Sequence, residues 1–528
     1  MHDYIIVGGG SSGCTIASRL SEDPDCTVLL LEQGPRDWSP YIHIPVTYYK
    51  TSQGNMLTRY RLEPQAQQGG ITPEFVQGRV LGGGSSVNAM VYMRGIPQDY
   101  DGWAGEGCPG WSYKEVLPYF KKAESNERFS GEAHGIDGPL KVSDQRHIHY
   151  LTKAWAQGAQ ELGIKFNPDF NSGDQAGVGF YQVTMKDGVR CSAAKAYLRP
   201  ARHRKTLKVL TEAKTLRLLI ENNRAVGVEY IKDGTVTRAL AAKEVIVCAG
   251  AIGSPHLLML SGVGPADHLR EVGVEVRHDL PGVGKNLQDH FDMFLIYDLN
   301  GPHSYDKYKK LHWQAWAGLQ YVLFRNGPAT SNICEGGLCW YTDSADSLPG
   351  LQFHFLPGAG VEEGSDSAPS GNGCTTNVYL SRPKSRGHVA LRSADPDVFP
   401  IVDPNYLAEE HDVIGLSEGV RLAQEILQQK PIAKYIAQPY RPGSILKTKA
   451  ERMEFVRKSG QGALHPCGAC RMGTDHMAVV DPELRVRGID GLRVADTSIF
   501  PRVPSGNLNA PAIMVGERAA DFIRGNRK

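Results

Sequence analysis

The chain has 528 residues, 41% of them hydrophobic and 22% charged, a length that corresponds to about three units at ~150 residues each. Its 58 Lys and Arg nearly balance 57 Asp and Glu, for a net charge of +1. That balance argues against a nucleic-acid partner, which needs a concentrated basic face. No stretch reaches the ~18 uninterrupted apolar residues of a spanning helix, so stable membrane insertion is not expected.

The N-terminus enters a strand at once and shows no charged-then-apolar leader. "DYIIV" (residues 3–7) is a short apolar run ending in glycines, the pattern of a buried parallel strand. "GCTIASRLSED" follows with Ile16, Ala17 and Leu20 on one helical face, and "CTVLLLEQG" (residues 26–34) is a second buried strand. Together they make a βαβ unit. Gly8, Gly10 and Gly13 satisfy GxGxxG at its strand-to-helix turn. Gly8 allows the tight turn, Gly10 lets a pyrophosphate approach the backbone, and Gly13 lets helix and strand pack closely. Glu32 ends the second strand, where a carboxylate accepts hydrogen bonds from an adenosine ribose. This arrangement predicts dinucleotide binding and leaves FAD and NAD open.

Further along, "GRVLGGGSSVNAMVY" (residues 78–92) is a second glycine-rich loop. Helices are expected near 153–163 and at 415–427, strands with a hairpin over 207–232, and a buried strand at 243–250 that runs into the apolar helix of "GAIGSPHLLMLSGVG". The aromatics of "LHWQAWAGLQYVLF" (residues 311–324) have helical spacing and are read as core. "LQFHF" and "VALRSADP" look like antiparallel strands, with His354 facing either core or substrate. The fold class is therefore α/β, a nucleotide-binding part interleaved with an α+β part.

Near the C-terminus "GQGALHPCGACRMG" sets His465 beside Cys467 and Cys470. A structural zinc site wants four ligands in two pairs, and no second CxxC exists. A thioredoxin-like CxxC should open a helix after a strand, which this one does not. The two cysteines are read as packing, with no metal. All ten cysteines are scattered rather than patterned, as in a reducing, cytoplasmic setting.

These motifs, with "LPGVGKNLQDH" (residues 280–290) and the C-terminal "GLRVADTSIFP" and "SGNLNAPAIMVGERAADFI", resemble the glucose–methanol–choline (GMC) oxidoreductases in order and position over nearly the whole chain. The segments "LRPKSRGHVALRSADP" and "LHWQAWAGLQYVLFRNGPATSN" are most similar to L-sorbose dehydrogenases within that family. The resemblance implies a Rossmann-like FAD-binding domain (residues 1–150, 201–298 and 461–528). An α+β substrate-binding domain containing an antiparallel sheet would comprise 151–200 and 299–460. It places Gly8, Gly10, Gly13 and Glu32 on the ADP half of FAD, and the main chain of Ala213 at the adenine. Gly82, Asn88 and Ala89 would lie along the pyrophosphate and flavin, Asp496 at the central portion, and Asn507 and Leu508 by the isoalloxazine.

His465 matches the catalytic histidine of the family and Asn507 the second catalytic position. An imidazole can take an alcohol proton near neutral pH, and an amide can hold the same oxygen. Val87 stands where some members carry a histidine bonded to FAD, so non-covalent FAD is expected. The implied partners are a small alcohol, polyol or sugar and a quinone-like or dye acceptor. The expected reaction is oxidation of a primary alcohol, in its narrowest form L-sorbose to L-sorbosone. Choline and other alcohol dehydrogenases or oxidases of the family are the alternative.

Overall fold

The computed structural model describes residues 1–51, 54–361 and 366–525. Its first sheet has a parallel core, in the order Leu207–Leu210, Val28–Leu31, His2–Val7, Thr235–Val247 and Leu492–Val494. Val28–Leu31 is buried along its whole length, as a strand covered on both faces must be. The strand expected at 243–250 begins earlier, at Thr235, and does two jobs. Its second half pairs with His2–Val7, while its first half pairs antiparallel with Arg224–Lys232. That first half is largely exposed, so no apolar run announced it. Ala213–Glu221 and Arg224–Lys232 form the expected hairpin, turned by Asn222 and Asn223 at φ 48° and 59°, values that asparagine tolerates.

The second sheet is antiparallel, in the order Ile436–Arg441, Phe291–Leu299, Gly373–Leu380, Leu351–Leu356, Gly336–Trp340 and Gly177–Phe180. Phe291–Leu299 crosses the boundary expected at 298/299 and hydrogen-bonds wholly within this sheet. The expected helices appear as Tyr150–Glu161 and Glu410–Leu427.

Two C-terminal segments tie the sheets together at the site. Gln461–Gly462 pairs with Phe291–Asp292. The loop beyond it is then stapled on both sides. Cys467 and Gln288 exchange backbone hydrogen bonds at 2.9 Å, and Gly468 and Cys470 donate to the Thr497 and Ser498 carbonyls. The last helix, Asn509–Gly525, lies on the dinucleotide helix Ser11–Leu20, with Ser12 Oγ donating to the Ala512 carbonyl at 2.7 Å and Arg19 paired to buried Glu517 at 2.8 Å. Cys467 and Cys470 are free and fully buried within this loop.

One expectation is overturned. Helix Leu311–Phe324 is not core: only Ala317 and Tyr321 are buried, and most of its large apolar side chains face solvent. Helical apolar spacing says that a face is apolar, not what covers it.

Candidate active site

A cavity of about 1230 Å³ is lined by Gly8, Gly10, Glu32, Asn88, Ala89, Ala213, Asp496, Leu508, His465 and Asn507, more than the ~300–1,000 Å³ of an ordinary small-molecule pocket. Of the residues expected to hold the cofactor, Gly13 and Gly82 stand outside this lining. A Cβ on Gly13 would lie 2.0 Å from the Gly8 carbonyl oxygen, so Gly13 serves the close packing of helix on turn. Gly82 donates its N–H to the Gly9 carbonyl at 2.7 Å, holding the second glycine loop against the first. It buttresses the cradle from behind, because its N–H is spent on the other loop.

The remaining residues fit a dinucleotide. Helix Ser11–Leu20 starts at Gly10 without a side-chain cap, leaving first-turn N–H groups and the positive end of the dipole for an anion. A Cβ on Gly10 would meet nothing within 4 Å, as a backbone that a phosphate must approach requires. Glu32 receives the N–H of Gly9 at 2.8 Å and of Gly34 at 2.7 Å, which keeps lone pairs for ribose hydroxyls. Burial raises its carboxyl to about 7. The Asp496 carboxylate receives Gly250 N–H at 2.8 Å, Ser254 Oγ–H at 2.5 Å and Ser498 N–H at 2.8 Å, so it shapes the cavity wall by capping the adjoining helix.

Around His465 and Asn507, the hydrogen bonds set the protonation of His465. His290 Nε2 lies 3.0 Å from the Ser381 carbonyl, which can only accept, so Nε2 carries the proton. Burial holds His290 down to about 3; it is neutral and its Nδ1 is an acceptor. His465 Nδ1, 3.0 Å away, must then be the donor. The lone pair of His465 falls on Nε2, which accepts from Asn507 Nδ2 at 3.1 Å. Asn507 is oriented from its other side, where Gln352 Nε2 donates to its Oδ1 at 3.3 Å. The basic nitrogen and the amide nitrogen thus lie 3.1 Å apart, on residues that both line the cavity.

Electrostatics agree with this arrangement. His465 is lowered well below an ordinary imidazole, by burial and then by His290 and His354. Burial also brings His354 down to about 4. Asp289 accepts the His465 backbone N–H at 2.6 Å and the Tyr406 hydroxyl at 2.6 Å, and burial raises it to about 7. Leu464, just before His465, sits at φ 63°. That left-handed conformation costs roughly 1–2 kcal/mol in a side-chain-bearing residue.

The N-terminal GMC oxidoreductase family model matches residues 2–292 and the C-terminal one residues 383–516. The chain belongs to the GMC oxidoreductases. It is 42% identical to an alcohol dehydrogenase (acceptor) of Pseudomonas putida, over 99% of this chain and 96% of that one. It is 41% identical to an oxygen-dependent choline dehydrogenase of Sinorhizobium fredii, with the same coverage. Among solved structures, pyridoxine 4-oxidase from Mesorbium loti superposes with a TM-score of 0.90 at 30% identity over 99% of each chain. A formate oxidase superposes at 0.93 with 26% identity, over 100% of this chain and 98% of that one.

As a GMC oxidoreductase, the chain is an FAD enzyme that oxidises alcohol CH–OH groups. Val87 lines the cavity and packs against Ile42, Met56 and Val80, offering no nucleophile to the flavin. Trichloroacetic acid precipitation of the yellow protein is expected to release FAD into the supernatant; flavin remaining in the pellet would refute non-covalent binding.

Sequence reasoning assigned no role to several residues of the GMC site. Asp289 and His290 lie inside "NLQDH" and carry a motif signal. Gln352, His354 and Tyr379 lie on neighbouring strands of the antiparallel sheet, where pairing sets Gln352 opposite Tyr379. Arg190 is fully buried, donates to Asn88 Oδ1 at 2.8 Å and to the Ser85 carbonyl at 3.1 Å, and so fixes the second glycine loop.

Proposed function

We propose that this enzyme oxidises a primary alcohol of a small, uncharged polyol or sugar, with L-sorbose as the narrowest form, and passes the electrons to a quinone-like acceptor. The observation that carries the reading is the unprotonated Nε2 of His465 beside the Asn507 amide, with further polar groups on the same wall. The Tyr379 hydroxyl is buried without a partner among the described residues, and Tyr379 and His354 both line the cavity. A substrate with several hydroxyls would use such groups, since a buried polar atom left unpaired costs free energy.

His465 Nε2 takes the hydroxyl proton, and the Asn507 N–H holds the oxygen as its charge develops. FAD, when bound, accepts the hydride from the carbinol carbon. Neutral, buried His465 receives the proton without a standing charge to repel it.

A second reading, oxidation of another alcohol or of choline, is favoured by the named relatives at 42% and 41% identity. The unspecified "acceptor" in the first name is consistent with a non-oxygen acceptor, while the second is named oxygen-dependent. A cytoplasmic location fits ten free, buried cysteines. No described helix is long and apolar enough to cross a membrane.

Anaerobic bleaching of the flavin separates the readings. Sorbose and simple polyols are expected to bleach it fastest, and air is expected to restore the colour slowly compared with a soluble quinone. Faster bleaching by hexanol or choline would transfer the assignment to the second reading. Rapid recovery in air would make the enzyme an oxidase.

A further inference from the structure

Helix Leu311–Phe324 has an apolar surface with no cover. Leu311 is 79% exposed, Trp316 53%, Leu323 60% and Phe324 67%. Trp316, Leu319 and Leu323 follow at i, i+3 and i+7, so they form one stripe, and Trp313 and Val322 widen it. Only Ala317 and Tyr321 seat the helix on the protein. An outward apolar face of this extent on one helix marks an interaction site.

The charges around it say what kind. Lys307, Lys309 and Lys310 precede the helix and Arg325 follows it, whereas Asp306 is the single carboxylate from 300 to 330. Asp306 is buried and ion-paired to Lys309 at 2.8 Å. The helix itself carries no carboxylate. Two copies of this surface meeting face to face would bring like charges together, while an anionic sheet would match them. At 14 residues the helix is about 21 Å long, too short to span a bilayer, and its indoles suit the boundary between headgroups and acyl chains.

We propose that helix Leu311–Phe324 seats the enzyme on an anionic lipid bilayer, lying in the plane of the interface with its Trp316–Leu319–Leu323 stripe in the acyl boundary. Lys307, Lys310 and Arg325 meet the headgroups. The helix stands close to the active-site cavity. The chain leaving it reaches Asn332, which donates to the Ala89 carbonyl at 2.6 Å, and Cys334, which lines the cavity. Tyr308, before the helix, shares an apolar cluster with Tyr49, Ala89 and Cys334. Docking does not depend on which alcohol is oxidised.

The test is flotation of the FAD-loaded enzyme with vesicles of phosphatidylcholine mixed with phosphatidylglycerol, and with phosphatidylcholine alone. The wild type is expected to float with the mixed vesicles and to be released by added salt. A Trp316→Glu, Leu323→Glu double variant is expected to bind at least about tenfold more weakly. A Lys307→Glu, Lys310→Glu variant should lose the preference for phosphatidylglycerol. Both should keep dye-linked activity, since the altered side chains lie outside the cavity. Failure of the wild type to float at low salt overturns the proposal, as does undiminished flotation of the double variant. A dimer split by the double variant, with no vesicle binding by the wild type, overturns it in favour of a second copy.

Discussion

Replacing His465 by alanine is expected to slow anaerobic flavin reduction by alcohol about 10³-fold, within the ~10²–10⁴ that a positioned base contributes, or about 4 kcal/mol of barrier. The protein should stay yellow, because the groups that fit the ADP half of FAD are the Gly8–Gly10 turn and Glu32, which belong to other segments. Stopped-flow absorbance of the holoenzyme measures both. Near-normal reduction in the variant would remove His465 as the base. The wild-type pH profile adds a second check. The base works unprotonated, so activity is lost as pH falls through its folded pKa. Burial and two neighbouring imidazoles depress that pKa, so the acid limb should lie well below the ~6.5 of a free imidazole. A limb near 6.5 would mean that the working His465 is solvated.

Replacing His290 by phenylalanine is expected to cost about 10²-fold in the same reduction step, although the ring itself takes no proton from substrate. The loss follows from tautomer control, as in triads where an orienting partner fixes the imidazole. Without His290 Nδ1, the Nδ1–H of His465 has no acceptor in the 3.0 Å contact. His465 then gains by moving its proton to Nε2, where Asn507 can flip to offer its oxygen. The nitrogen facing the substrate becomes a donor and cannot act as base. The Ser381 carbonyl also loses its 3.0 Å partner, so some stability is lost too. His290→Asn, whose side-chain oxygen takes the place of Nδ1, should recover most of the rate. Equal rates for the Phe and Asn variants would reduce His290 to a filler beneath Tyr379, on which it stacks at 4.5 Å.

Much of the cofactor half is legible in one dimension because its physics is local. A tight turn, an uncapped helix start and a carboxylate at a strand end all lie within about 30 consecutive residues. His465 and Asn507 were reached through their motifs, and they do meet at 3.1 Å. The partners that set their states were not assigned. Gln352 and Tyr379 lie in strand alternations where inward-facing core and inward-facing pocket read alike, and the buried cation of Arg190 showed no local pattern at all. Helix Leu311–Phe324 was misread for a related reason, since its period carries no information about which body, if any, covers it.

Read alone, the sequence shows that a βαβ dinucleotide turn opens the chain and that its family oxidises alcohols on FAD, and its motifs single out His465 and Asn507. Only the tertiary contacts show which nitrogen of His465 is left unprotonated. The Ser381 carbonyl, His290, His465, Asn507 and Gln352 come from segments up to 175 residues apart along successive contacts, and proton positions pass through contacts, not through sequence spacing.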